Sequence, residues 1–420
     1  MSVYAALRRE GRLLGRDRAF VVWVLLTFAL AAAAVWEGIG EVADQRATLA
    51  RLVELDRLDR QDAQEKHPEW GGTAYYSFHL TFNPPSELAF AALGLRDQEP
   101  WIHRIRMLAL EGQIYERDVG NPVLALTGRF DFAFFAAFVL PLVLIGVLHD
   151  LQARERRAGR HALLVATAGQ DGVLWRLRAV LRTSVIIFSA LIPLLSGALW
   201  ERASFGLVAA ACVAVMLYGL FWGVLTYIFA RVKQGAPVIL AGLLGLWVCL
   251  AVVLPASLKA GIDGAIEVPE GADILLVQRE AVNAAWDLPK AATMAPFLER
   301  HPEWAAYGEI DAPFAWKWFF AFQQVGDQKA EALSQAYRQG RLARDDRAAS
   351  LAWLAPPALL ERTLEGLADT DLRAHFAYED QIRTFHAQLR AFYYPKFFKD
   401  EPYVRTALQA LPRFQPPEDS

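Results

Sequence analysis

Arg154, Glu155, Arg156, Arg157 and Arg160 stand directly ahead of Leu163, Leu164 and Val165. The set contains no nucleophile and no acid–base pair, so its chemistry is docking rather than bond-making. Guanidinium groups steer and orient an approaching partner, while leucines that enter a cleft supply most of the binding energy. The cluster lies inside residues 149–182, between two apolar stretches each long enough to cross a bilayer. That layout is expected of a cytoplasmic coupling element, which passes mechanical work from a soluble motor to membrane helices.

Residues that make or break bonds are not arranged to do so. The sequence has no G-x-x-x-x-G-K-[ST] phosphate loop, no H-E-x-x-H, no G-x-S-x-G and no C-x-x-C. The chain is therefore not expected to hydrolyse a nucleotide by itself, and no catalytic, cofactor or metal site is expected in it. His-Pro-Glu-Trp occurs at 67–70 and again at 301–304, but proline beside histidine reads as a helix or turn boundary. His375 and His386 share a helix face three turns apart, too far to hold one ion. Cys212 and Cys249 both fall in apolar stretches, which excludes a disulfide framework in the polar regions.

The elements that would position the cluster are membrane helices. Composition is 55% hydrophobic yet 21% charged, with a mean hydropathy of +0.20, so the charges must be segregated. Five windows without Asp, Glu, Lys or Arg run over 19–36, 132–148, 183–200, 205–230 and 236–257. Each is close to or above the roughly 18 to 20 residues needed to span a bilayer. Arg8, Arg9, Arg12, Arg16 and Arg18 precede the first, and Arg231 and Lys233 separate the fourth from the fifth. The positive-inside rule then puts the N-terminus and 149–182 in the cytoplasm and the C-terminus outside. The first apolar run exceeds the core of a signal peptide, so it is expected to be retained. Residues 1–18 set Tyr4, Leu7 and Leu14 opposite Arg8, Arg12 and Arg16, as in a helix lying in the membrane interface.

Residues 37–131 and 258–420 form the outer regions. Glu41 to Lys66 and Asp327 to Arg347 are rich in Ala, Leu, Glu, Gln and Arg, so helix is expected and β is not. The aromatic runs 314–322 and 391–398 fit either a packed core or a membrane interface. Residues 351–365 contain Pro356, Pro357, Glu361 and Arg362 and are not a sixth span. The expected fold is all-α: a polytopic helical membrane protein with about five transmembrane helices and two large, mainly helical periplasmic regions. Basic residues gathered on the inner side fit lipid phosphates and a partner protein, not a nucleic acid.

Several short stretches together resemble ABC-2 type transporter permeases, in particular a bacterial subgroup with an enlarged first outer loop. They are Pro84-Pro85-Ser86, Gly94-Leu95-Arg96-Asp97 with Pro100, Asn121-Pro122, Leu126-Thr127-Gly128-Arg129-Phe130-Asp131 and Leu140-Pro141-Leu142. Ala153 to Gly159 is similar to the family's Glu-Arg-Glu-x-Gly-Thr turn at the start of the coupling helix. The likeness runs from about 3 to 260, and returns at Arg390–Phe398 and Leu411–Phe414. Arg157 and Arg160 depart from it, standing where Glu and Thr are usual, and so does Ala168-Gly169, where Gln-Pro or similar is common. Such permeases also place a final span after the Leu411-Pro412-Arg413-Phe414 stretch, which is not found before Ser420.

The resemblance implies a permease half-unit, an exporter in the bacterial inner membrane. It would pair with a second half, identical or paralogous, on two copies of a separate subunit that binds ATP and Mg. Glu155, Arg156, Arg157, Gly159, Leu163 and Leu164 would couple to that subunit, and Asn121, Pro122, Gly128, Asp131 and Pro141 would be signature positions. The competing reading is a membrane-anchored assembly or sensor protein that binds a partner through its outer helical regions. Pro141 and Pro193 inside spans favour the transporter, because a static anchor gains nothing from interrupted helices. No Asp, Glu, Lys, Arg or His lies in the five windows, which argues against an intramembrane enzyme and against proton-coupled transport.

Overall fold

The computed structural model describes residues 3–116, 129–168 and 171–416. A short amphipathic helix α1 (Val3–Leu14) leads into α2 (Arg18–Lys66) at Asp17, whose carboxylate accepts the Phe20 N–H at 3.4 Å and caps the second helix. Forty-nine residues of continuous helix make α2 about 74 Å long at 1.5 Å per residue. Its apolar first part and its polar continuation, expected as separate pieces, are one rod, since 41–66 is composed almost wholly of helix formers. Gly38 lies where the segment Leu88–Ala92 presses on this rod. A Cβ there would stand 1.9 Å from the Phe90 carbonyl oxygen, so only glycine allows the approach.

Beyond α2 come α3 (Trp70–Tyr76), an antiparallel ribbon of β1 (His79–Phe82) with β2 (Ile102–Ile105), and α4 (Leu110–Tyr115). The ribbon pairs His79 with Ile105 and Phe82 with Ile102 and is, among the described residues, the one sheet. Four residues a strand are too few to stand out in the sequence, and Asn83-Pro84-Pro85 ends the pairing.

Next follow α5 (132–148), α6 (Ala153–Arg157), α7 (His161–Ala168), α8 (Asp171–Glu201), α9 (Phe205–Ala230) and α10 (236–265). Both α5 and α10 contain a π-helical segment, Phe135–Val139 in one and Cys249–Val253 in the other. Among the described residues five helical stretches are long and apolar enough to cross a membrane: Arg18–Lys66, Phe132–Arg157, Val173–Glu201, Phe205–Ala230 and Ala236–Ala265. They contain the five expected windows. The chain is all-α in class and a membrane protein by the length and composition of these helices.

After α10 the chain builds α11 (Gly271–Ala284), α12 (Lys290–Arg300), α13 (Trp316–Leu351), α14 (Pro356–Leu367) and α15 (Leu372–Phe398). These helices and the segment 70–115 share one core, in which Trp70, Ile105 and Ile114 pack with Phe297, Trp318 and Phe385. The Asp327 carboxylate accepts the N–H groups of Leu110 and Glu111 at 2.7 and 3.0 Å and pairs with Arg390 at 2.5 Å, tying α4 to α13 and α15. The described parts of the two polar regions are thus one domain. Its centre is built from the aromatic runs, with Phe320 stacked on Phe397 at 4.8 Å, so most of their rings are packed inside.

One helix leaves this domain. Leu360, Leu364 and the following Ala368 belong to the core of the membrane bundle, where α14 lies against α9 and against the π-helical segments of α5 and α10. At twelve residues it is too short to span, in keeping with its prolines, yet it enters the bundle from one end.

Candidate functional site

The basic cluster forms an elbow. α6 ends in a Schellman turn: Arg160 N–H donates to the Glu155 carbonyl and Gly159 N–H to the Arg156 carbonyl, each at 3.1 Å, with Gly159 at φ +68°. Glycine at this position lets the chain reverse without strain, so that α7 can begin at His161. The Glu155 carboxylate accepts from Arg160 Nε at 2.9 Å, and Arg156 donates to the Val232 carbonyl at 2.8 Å, bracing the elbow against the short link between α9 and α10. Arg157 is exposed. The two leucines differ: Leu163 is 66% exposed at the tip of α7, whereas Leu164 is half-buried and packs against the bundle core. His161 lies parallel to the buried Trp175 of α8 at 5.4 Å, which fixes the start of α7 on that helix.

Two acids missed in the sequence complete the site. Glu10 of α1 is buried and accepts from Arg178 Nε at 2.8 Å. Asp17 meets Arg182 at 3.3 Å and Arg154 at 3.8 Å, and Arg182 also donates to the Val147 carbonyl at the end of α5. α1, α2, α5, α6 and α8 therefore meet in one ion-paired knot beside the elbow. The signal was available, for Glu10 and Asp17 are the only acidic residues in the basic segment 1–18. A rigid elbow anchored to the ends of several spanning helices can convert a push on Leu163 into movement of those helices.

At the far end of the bundle several of the resembling residues converge, among them Arg96, Asp97, Arg129 and Asp131. Asp131 caps α5 by accepting the Phe134 N–H, and its second oxygen accepts the Leu93 N–H, both at 2.8 Å. Arg96 is buried and donates to Gln45 at 2.8 Å and to the Asn83 carbonyl at 2.9 Å, while Arg129 joins Asp97 and Glu41 at 2.8 and 2.6 Å. The Thr370 carbonyl and hydroxyl finish the clasp: Leu95 N–H donates to the Thr370 carbonyl at 2.9 Å, and Thr370 Oγ1 donates to the Ala92 carbonyl at 3.0 Å. This junction holds the turn that follows α14. Pro141 has a local role as well. It cannot donate to the carbonyl of Ala137 four residues back, and that oxygen accepts Tyr218 Oη of α9 at 2.5 Å instead. Asn121, Pro122 and Gly128 lie outside the described residues.

Glu361 and Glu365, one turn apart on α14, are the residues that hydropathy could not place. Burial, with Glu365 and Asp131 nearby, pushes the Glu361 carboxyl up to about 8; burial and Asp131 push Glu365 up to about 7. Arg362 is a cation that opposes the second shift. The five apolar windows carry no carboxylates, but α14, which is not one of the spanning helices, supplies two of them to the bundle. Among the described residues no group of three or more His, Cys, Asp or Glu is placed to hold a metal ion.

Residues 273–417 match a family described as "Domain of unknown function (DUF3526)". The match starts within α11 and takes in α12 to α15, including the inserted α14, but none of the five long apolar helices. No curated protein and no solved structure matches the chain.

Proposed function

We propose that this chain is the membrane-spanning permease subunit of an ABC-2 type exporter, driven by a separate ATP-binding subunit that docks on the elbow 153–168. In this reading the elbow is cytoplasmic, the large domain is periplasmic, and the membrane is the bacterial inner one. ATP and Mg belong to the partner, and the chain itself is not an enzyme. The observation that carries the proposal is Leu163: a large apolar side chain standing exposed on a short helix just after the Schellman turn, preceded by exposed arginines and braced to the spanning helices. An isolated exposed leucine needs no explanation; one held out on a rigid, charged elbow has the make-up of a docking hot spot. The family resemblance over 3–260 supports the same assignment. Exposed apolar faces on α9 and α10 suit lipid and a second permease half, identical or paralogous.

Co-expressed with its cognate ATP-binding subunit, the chain is expected to purify as a complex with two permease halves and to show ATP hydrolysis only in that complex. Hydrolysis by the chain purified without that subunit would overturn the assignment.

A further inference from the structure

A groove of about 570 Å³ opens where α10 leaves the bundle, walled by α10, α13 and α14. Its volume is that of a small-molecule site. The order of residues along the walls creates a gradient of polarity. α10 rises out of the bundle, so Pro255 and Leu258 lie nearer the membrane than Asp263. α13 descends toward α14, so Ala348 and Leu351 lie nearer than Arg341 and Arg344. The contact of Arg344 with Asp263 at 3.2 Å holds the two helices in that register. α14 closes the lower end with Ala355 and Ala358 and contributes Arg362 and Glu365. The membrane-proximal end is therefore apolar and the distal end charged, over ten residues of helix or about 15 Å.

Nothing in this gradient suits a wholly apolar or a wholly soluble ligand. Val252, Val253, Leu359 and Trp353 are exposed beside the lower mouth, so the apolar surface of the spanning helix continues into the groove without a polar break. Tryptophan at that level is the side chain favoured at a membrane interface. At the upper end the signs are mixed, with Arg341, Arg344, Arg362 and Lys259, the last bonded to Asp263, beside Asp263, Asp345, Glu365 and Asp371. A bare anion would meet as many acidic as basic side chains. A head group that carries both phosphate and ammonium meets both kinds of partner, and Arg362, bonded to Asp345 through one terminal nitrogen at 2.6 Å, has further donors in its planar fork.

We infer that this groove binds one zwitterionic phospholipid drawn from the adjoining leaflet. Its first methylenes lie between Leu258, Leu351 and Ala358, and its head group lies among Arg344, Arg362 and Asp371. The inference needs only that the helices cross a membrane, and it holds whether or not ATP drives the chain.

The test is lipid retention by the full chain, delipidated in detergent and then given mixed micelles of phosphatidylethanolamine or phosphatidylglycerol, with bound lipid counted by native mass spectrometry. One phosphatidylethanolamine per chain is expected. Retention should fall at least about tenfold in Ala358→Trp, which fills the apolar end, and roughly threefold or more in Arg362→Gln. Phosphatidylglycerol should bind less well, and soluble glycerophosphoethanolamine should not compete even in about hundredfold excess, since it lacks the buried chain. Should Ala358→Trp fail to fold, Ala348→Leu narrows the same wall and is read in the same way. Undiminished retention in the blocked variant, equal binding of both lipids, or competition by the soluble head group would each overturn the proposal.

Discussion

Leu163→Asp is expected to abolish retention of the ATP-binding subunit while leaving the permease folded and inserted. An unpaired carboxylate in the docking cleft would be desolvated without a partner, and loss of a central apolar anchor costs about 2 to 4 kcal/mol, roughly 30- to 1,000-fold in affinity. Because Leu163 is exposed in the free chain, the change should scarcely alter thermal unfolding. Leu164→Asp should behave differently. That side chain packs against the bundle, so the variant should unfold at a lower temperature in addition to losing its partner. Arg157→Ala should do less than either, reducing association chiefly at low salt, since an exposed charge contributes only about 0 to 1 kcal/mol. Pull-down of the subunit by each variant, alongside thermal unfolding of the permease alone, separates these outcomes. Equal retention by Leu163→Asp and the parent would remove the elbow from the docking site.

Alkaline pH should loosen α14 from the bundle. The carboxyls of Glu361 and Glu365 sit above their usual range, so the docked helix holds protons that a solvated one would release. Stability from this source is fully present below the ordinary carboxylate range and is lost as pH rises through about 7 for Glu365 and about 8 for Glu361. Asp131, Asp345 and Asp371 act in the same direction as burial at one or both sites, and Arg362 acts against it at Glu365. Hydrogen exchange of the 356–367 amides, corrected for the intrinsic effect of pH, should therefore speed up between about pH 6 and about pH 9. In Glu361→Gln/Glu365→Gln the slope should disappear and protection should remain at its acid value, because an amide cannot ionise. A slope that survives the double substitution would assign the effect to other groups.

These expectations show which parts of the molecule could be read from residue order. The spanning helices could, because each is an uninterrupted apolar window and hydropathy is a local property. The elbow could in part: its arginines and leucines were visible, but the distinction between Leu163 and Leu164 depends on which side of α7 faces α8. Glu10 and Asp17 were present as isolated acids in a basic segment, and their partners Arg178 and Arg182 lie more than 160 residues away. Position along the chain carries no trace of such a pairing. α14 was the least legible. Two prolines, two glutamates and an arginine give it the profile of a soluble segment, and its insertion becomes evident only when α9 and the π-helical parts of α5 and α10 are seen to leave room for it. The absence of charged side chains from the apolar windows was therefore a weaker argument about the bundle than it looked. Likewise, the aromatic runs at 314–322 and 391–398 could not be assigned from composition, since a ring at a membrane surface and a ring in a core have the same sequence signature.

The most direct test of the coupling role uses a single cysteine. With Cys212 and Cys249 replaced, Leu163→Cys in membranes that contain the ATP-binding subunit should cross-link to that subunit through a short thiol-reactive linker. Leu199→Cys, at a residue still more exposed and at the opposite end of the bundle, should not. Cross-linking at Leu199 and none at Leu163 would place the motor on the wrong end of the molecule for this mechanism and contradict the account.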